Sequence, residues 1–114
     1  MPFINSKVSV QITPEQETQL KARLGQAISL IPGKSEQWLM TGFQDNYHLY
    51  FRGDKSDPIA FIEVQIYGTP SASSMDQLTG EITKIFNEVL GIAPDHIYVS
   101  YHPTDNWGWN GNNF

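Results

Sequence analysis

Two helix-length apolar stripes recur at one constant offset. Leu20, Leu24, Ala27, Ile28 and Ile31 each lie 58 positions before Leu78, Ile82, Ile85, Phe86 and Val89. Within each set the spacing places every side chain on one helical face. Thr13-Pro14-Glu15-Gln16 opens the first helix: Thr13 caps it, Pro14 takes the first position and Gln16 closes a capping box. Pro32-Gly33 stops it. The second helix starts at Thr69-Pro70 or at Ser74, carries Met75 on the same stripe, and ends at Gly91. Strand-like runs flank both helices: Pro2 to about Val10, Gln37–Phe43, Ile59–Tyr67 and His96–His102.

The chain therefore reads as one α+β domain over residues 1–114, built from two β-α-β repeats. Each crossover helix links two parallel strands. Both helices cover the same face of one four-stranded sheet. A further short strand is expected at Tyr47–Phe51, a polar loop at Arg52–Pro58, and a polar, irregular tail carrying Trp107, Trp109 and Phe114. The face away from the helices would hold Phe3, Asn5, Lys7, Leu39, Phe61, Glu63, Gln65, Tyr67, Tyr98 and Ser100. That mixture is too apolar for open solvent and too polar for a closed core. Sheets with parallel strands are rarely left bare on a face, so a symmetric oligomer is expected.

Charge and composition remove several function classes. Net charge is −5 and the seven Lys and Arg are dispersed. A phosphate-binding footprint needs clustered cations, so nucleic acid is not an expected partner. With no cysteine, disulfides, thiol nucleophiles and zinc–thiolate sites are all absent. No glycine-rich phosphate loop is present, and His48, His96 and His102 lack metal-site spacing. No cofactor or metal is expected. No apolar run reaches the roughly 20 residues of a membrane span, and the default expectation is a soluble cytoplasmic protein.

What remains is the start of the chain. Loss of Met1 would leave Pro2 with a free secondary amine, fixed in a ring and tied to a strand. That is a candidate general base. Lys34, just past Pro32-Gly33, reads first as a cation compensating the helix C-terminus, with anion holding as the alternative.

Pro2-Phe3-Ile4, Gly33-Lys34, Pro94-Asp95-His96-Ile97-Tyr98-Val99-Ser100-Tyr101 and Gly108-Trp109-Asn110 appear in an order and spacing that resembles the macrophage migration inhibitory factor group of the tautomerase superfamily. The resemblance covers the whole chain. It implies a homotrimer with three active sites at subunit boundaries. It also implies keto–enol tautomerisation of α-keto acids such as phenylpyruvate, with Pro2 as base and Lys34 on the substrate carboxylate. Tyr98, from a neighbouring subunit, and Trp109 match positions that line the substrate slot. Phe114 and Trp107 are additions from the tail. Tyr67 stands where an aliphatic residue is more usual, at a position whose backbone amide meets the carboxylate. Ser100 replaces an asparagine that reaches the far end of the substrate, which puts preference for ring-hydroxylated substrates in doubt. The Cys-x-x-Cys pair of the animal cytokine is replaced by Ile59-Ala60-Phe61-Ile62, so its thiol chemistry has no counterpart. The same resemblance carries an alternative: a signalling protein with vestigial tautomerase activity and, if exported, a receptor partner. Members of the group leave cells without a signal peptide, so secretion stays open.

Overall fold

The two repeats share a single sheet in the computed structural model, which describes residues 1–114. The first unit is β1 (Pro2–Val8), α1 (Pro14–Ala27) and β2 (Met40–Gln44). The second is β3 (Ala60–Tyr67), α2 (Ala72–Leu90) and β4 (Ile97–Thr104). Strand order is β2-β1-β3-β4. Pairing is parallel within each unit and antiparallel between β1 and β3 at the centre. β1 is thus a central strand that begins at the second residue of the chain.

Local chemistry sets the helix ends. Thr13 Oγ1 accepts from the Gln16 N–H at 3.2 Å, and Gln16 Oε1 accepts from the Thr13 N–H at 3.0 Å. That reciprocal pair satisfies two otherwise orphaned donors. α1 ends at Ala27, earlier than Pro32-Gly33 implies, and tightens into a 3₁₀ turn over Ile28–Leu30. The change of period leaves Ile28 and Ile31 buried all the same. Ser71 caps α2, and Gly91 closes it in the left-handed region at φ 72°.

Alternation along the strands decides which face meets the helices. Ile4 of β1 and Ile62, Val64 and Ile66 of β3 pack against Leu20, Leu24, Leu78, Ile82, Ile85 and Phe86. Fully burying one such side chain stabilises the fold by roughly 1.5–3 kcal/mol. Ser6 interrupts this apolar set: it is fully buried and its hydroxyl has no hydrogen-bond partner. No helix is long and apolar enough to cross a membrane.

Further expectations change, among them the start of α2, which is capped by Ser71 and not at Thr69-Pro70 or Ser74. The Gln37–Phe43 strand begins later, because Glu36–Trp38 forms a 3₁₀ turn; the Glu36 side chain lies over Gly25 of α1, where any larger residue would collide with it. Leu39 lies on the helix side, packing on the core with Phe43 rather than on the helix-free face, and Met40 lies opposite Phe3. A one-residue slip flips every side chain of a strand. Tyr47–Phe51 is not a strand; only Phe51 pairs, in an isolated bridge to Asp54. The tail is not irregular: β5 (Gly108–Trp109) and β6 (Asn112–Asn113) form a hairpin. Its turn is Asn110-Gly111, at φ 53° and 85°. Two-residue hairpins of this kind need positive φ at both positions, which Asn-Gly supplies.

Candidate active site

The first peptide of the chain lies between β3 and Lys34. Pro2 is buried and sits opposite Ile66. One step along β3, the Tyr67 N–H donates to the Met1 carbonyl oxygen at 3.1 Å. The Tyr67 carbonyl accepts from Lys34 Nζ at 2.8 Å. Lys34 therefore does not compensate the end of α1. Its backbone closes a turn on Ile31 at 3.1 Å, and its side chain crosses to the end of β3.

Electrostatics at this corner act on the terminal amine. The α-amino group of Met1 is pushed down from 8.0 to about 6. Burial is the larger cause, since it strips water from the cationic form. The Lys34 cation, by repulsion and by a hydrogen bond from its side chain, lowers it further. An amine held here is largely neutral at pH 7 and able to accept a proton.

A groove of about 470 Å³ opens beside Pro2, with Phe3, Trp38, Met40, Gln65 and Trp109 among its walls. Trp38 and Trp109 meet edge to face, with ring centroids 5.3 Å apart at 88°. Trp107 also lines the groove. The tail hairpin brings both tail tryptophans here. Tyr67 and Phe114 form a second edge-to-face pair, 5.4 Å apart at 71°, and Lys34 Nζ stands 5.8 Å from the centre of the Tyr67 ring. Lys34 and Tyr67 line a smaller pocket of about 220 Å³ with Gly68 and Pro70.

The structure thus gathers Pro2 and Trp109 in the groove, and Lys34, Tyr67 and Phe114 around the start of the chain. It does not bring Tyr98 or Ser100 there. Tyr98 pairs with Phe61, five positions from Ile66 along β3, or about 17 Å at strand rise. Its ring meets Phe51 and Phe61 edge-on and is 58% exposed. Ser100, opposite Glu63, bonds His102 Nε2 at 3.0 Å. Trp38, Met40 and Gln65 are groove residues that the sequence reading did not single out. Trp38 was hidden inside an expected strand, although an exposed tryptophan four residues after a candidate anion-holding lysine was a usable signal. The histidines lie elsewhere: His96 pairs with Asp95 at 2.8 Å, and His48 is exposed.

Comparison with known proteins gives this arrangement a family. Residues 1–114 match the family described as macrophage migration inhibitory factor (MIF). The crystal structure of Leishmania major MIF2 is 33% identical, with a TM-score of 0.92 over 100% of this chain and 97% of that one. A macrophage migration inhibitory factor homologue from Prochlorococcus marinus is 28% identical, with a TM-score of 0.86 over 98% of each chain. A fused 4-OT symmetric trimer, 19% identical, shares the fold at a TM-score of 0.85 over 97% of this chain and 94% of that one. No curated protein sequence matches the chain. On the whole-chain match and the Leishmania relative, the chain belongs to the macrophage migration inhibitory factor family.

Proposed function

We propose that the protein is a keto–enol tautomerase for phenylpyruvate-like α-keto acids, working as a homotrimer. Pro2, exposed as the chain terminus by loss of Met1, is the base. Lys34 Nζ and the Tyr67 N–H hold the substrate carboxylate. The neutral proline nitrogen takes a proton from the carbon next to the ketone, the electron pair moves onto the carbonyl oxygen to give the enolate, and the protonated amine delivers that proton to the oxygen to give the enol. In the reverse direction the protonated amine returns the proton to carbon. One group does both tasks, so its pKa belongs near ambient pH.

The observation that carries this reading is the placement of Lys34 beside the chain start, its Nζ bonded to the Tyr67 carbonyl at 2.8 Å, where burial and that cation push the Met1 α-amine down. The Pro2 amine, one residue further in at a buried position, would face the same two kinds of influence, burial and the Lys34 cation. Trp38 and Trp109 offer flat walls for an aryl ring, where an edge-to-face contact adds about 1 kcal/mol beyond area burial. Phe114 covers Tyr67 and narrows the carboxylate end. Tyr98 and Ser100 reach a groove only from a neighbouring copy. The exposed Tyr98 and half-buried Ser100 lie on the helix-free face beside Phe61 and Glu63, which fits that placement, as does the trimeric assembly of the fused 4-OT neighbour. The test is a spectrophotometric enol-to-keto assay on protein whose intact mass shows Met1 removed. Turnover of phenylpyruvate is expected; no turnover above the buffer rate would refute it.

A further inference from the structure

We propose that Met1 occludes the carboxylate anchor of its own chain, and that it can be removed only before β1 is built into the sheet. The Tyr67 N–H, one of the two donors assigned to the substrate carboxylate, is taken by the Met1 carbonyl oxygen at 3.1 Å. Met1 also borders the groove beside Pro2. A chain that keeps Met1 therefore fills the position of the substrate's anion with its own peptide oxygen, and its Pro2 nitrogen is an amide without a basic lone pair.

The same contacts protect the bond that would have to break. Removal is hydrolysis: water adds across the Met1–Pro2 amide, the C–N bond breaks, free methionine leaves, and Pro2 gains its N–H. A methionine aminopeptidase must draw the terminal residue and the scissile carbonyl into its own cleft. Here that carbonyl is bonded to β3, and the next residue, Pro2, is buried. β1 is flanked on both sides, Phe3 lying opposite Met40 of β2 and Gln65 of β3. Exposing the bond requires peeling the start of a central strand away from two neighbours. An edge strand or a loose terminus would impose no such barrier. Folding with Met1 in place yields a stable second form of the protein with a filled site.

The occlusion rests on the tautomerase reading for its consequence, not for its test. Protein with Met1 retained is produced under aminopeptidase inhibition and then exposed, folded, to methionine aminopeptidase. The peptide Met1–Val10 runs in parallel, with intact mass as the readout. Cleavage of the folded chain is expected at least about 100-fold slower than that of the peptide; comparable rates would overturn the proposal. Binding of 3-phenylpropanoate, which has no ketone to turn over, is measured by NMR on both forms. The processed form is expected to bind at least about tenfold more tightly, and equal binding would overturn the occlusion. If the processed form binds but shows no turnover, the tautomerase reading falls and the occlusion stands.

Discussion

Lys34 Nζ donates to the backbone carbonyl of Tyr67 at 2.8 Å, so the cation nearest the chain start is fixed at the end of a sheet strand. The Tyr67 N–H, on the same residue, donates to the Met1 carbonyl oxygen at 3.1 Å, and in the proposed function both donors turn to the substrate carboxylate. A charge-assisted hydrogen bond contributes about 1.5–3 kcal/mol. Lys34→Ala is therefore expected to raise KM for phenylpyruvate by about 10- to 100-fold while circular dichroism stays unchanged. An unchanged KM would remove Lys34 from the site.

The pH dependence follows from the same corner. Burial and Lys34 both disfavour the cationic amine, so its pKa moves down and the neutral base persists to lower pH. In Met1-retaining protein, an NMR titration is expected to place the α-amine near 6 rather than 8.0. Lys34→Ala should move that midpoint up, but not fully to 8.0, because burial is the larger cause and stays. In the processed enzyme, kcat/KM should fall as pH drops and Pro2 becomes protonated. The acid limb should shift to higher pH in the same variant.

Aromatic walls predict a substrate-dependent penalty. Trp38→Ala removes a wall of the groove against which an aryl ring would pack, a contact of about 0.5–1.5 kcal/mol. KM for phenylpyruvate should rise about 2- to 12-fold, whereas a short aliphatic α-keto acid should be little affected. Equal losses on both substrates would point to a structural role for Trp38.

Shared sites predict complementation. Pro2→Gly and Tyr98→Ala chains, each impaired alone, are unfolded together and refolded as mixed trimers. Some sites then combine Pro2 from one chain with Tyr98 from the other, and activity should return. No recovery would place Tyr98 outside the site.

Much of the fold was legible because apolar periodicity reports burial directly. Leu20 to Ile31 and Leu78 to Phe86 are buried as the stripes imply, and Ala60, Ile62, Val64 and Ile66 face the helices as alternation implies. Leu39 was assigned the wrong face of the strand, and the turn at Glu36–Trp38 went unread because it sits against Gly25, eleven residues earlier in α1. The tail hairpin was legible in Asn110-Gly111 and was masked by polar composition. Residue type and position made Pro2 and Lys34 candidates only, and the family resemblance gave them their proposed roles. Their meeting through Tyr67, and the inclusion of Trp38, depend on contacts between segments some 30 residues apart, which no local pattern encodes.

The most direct measurement is turnover by Pro2→Gly protein with Met1 removed, checked by intact mass and circular dichroism. The glycine retains a terminal amine but loses the ring, and the rate of phenylpyruvate tautomerisation is expected to fall at least about 100-fold, within the contribution of a positioned base, with the fold intact. Full activity in that variant would contradict the assignment of Pro2 as the base.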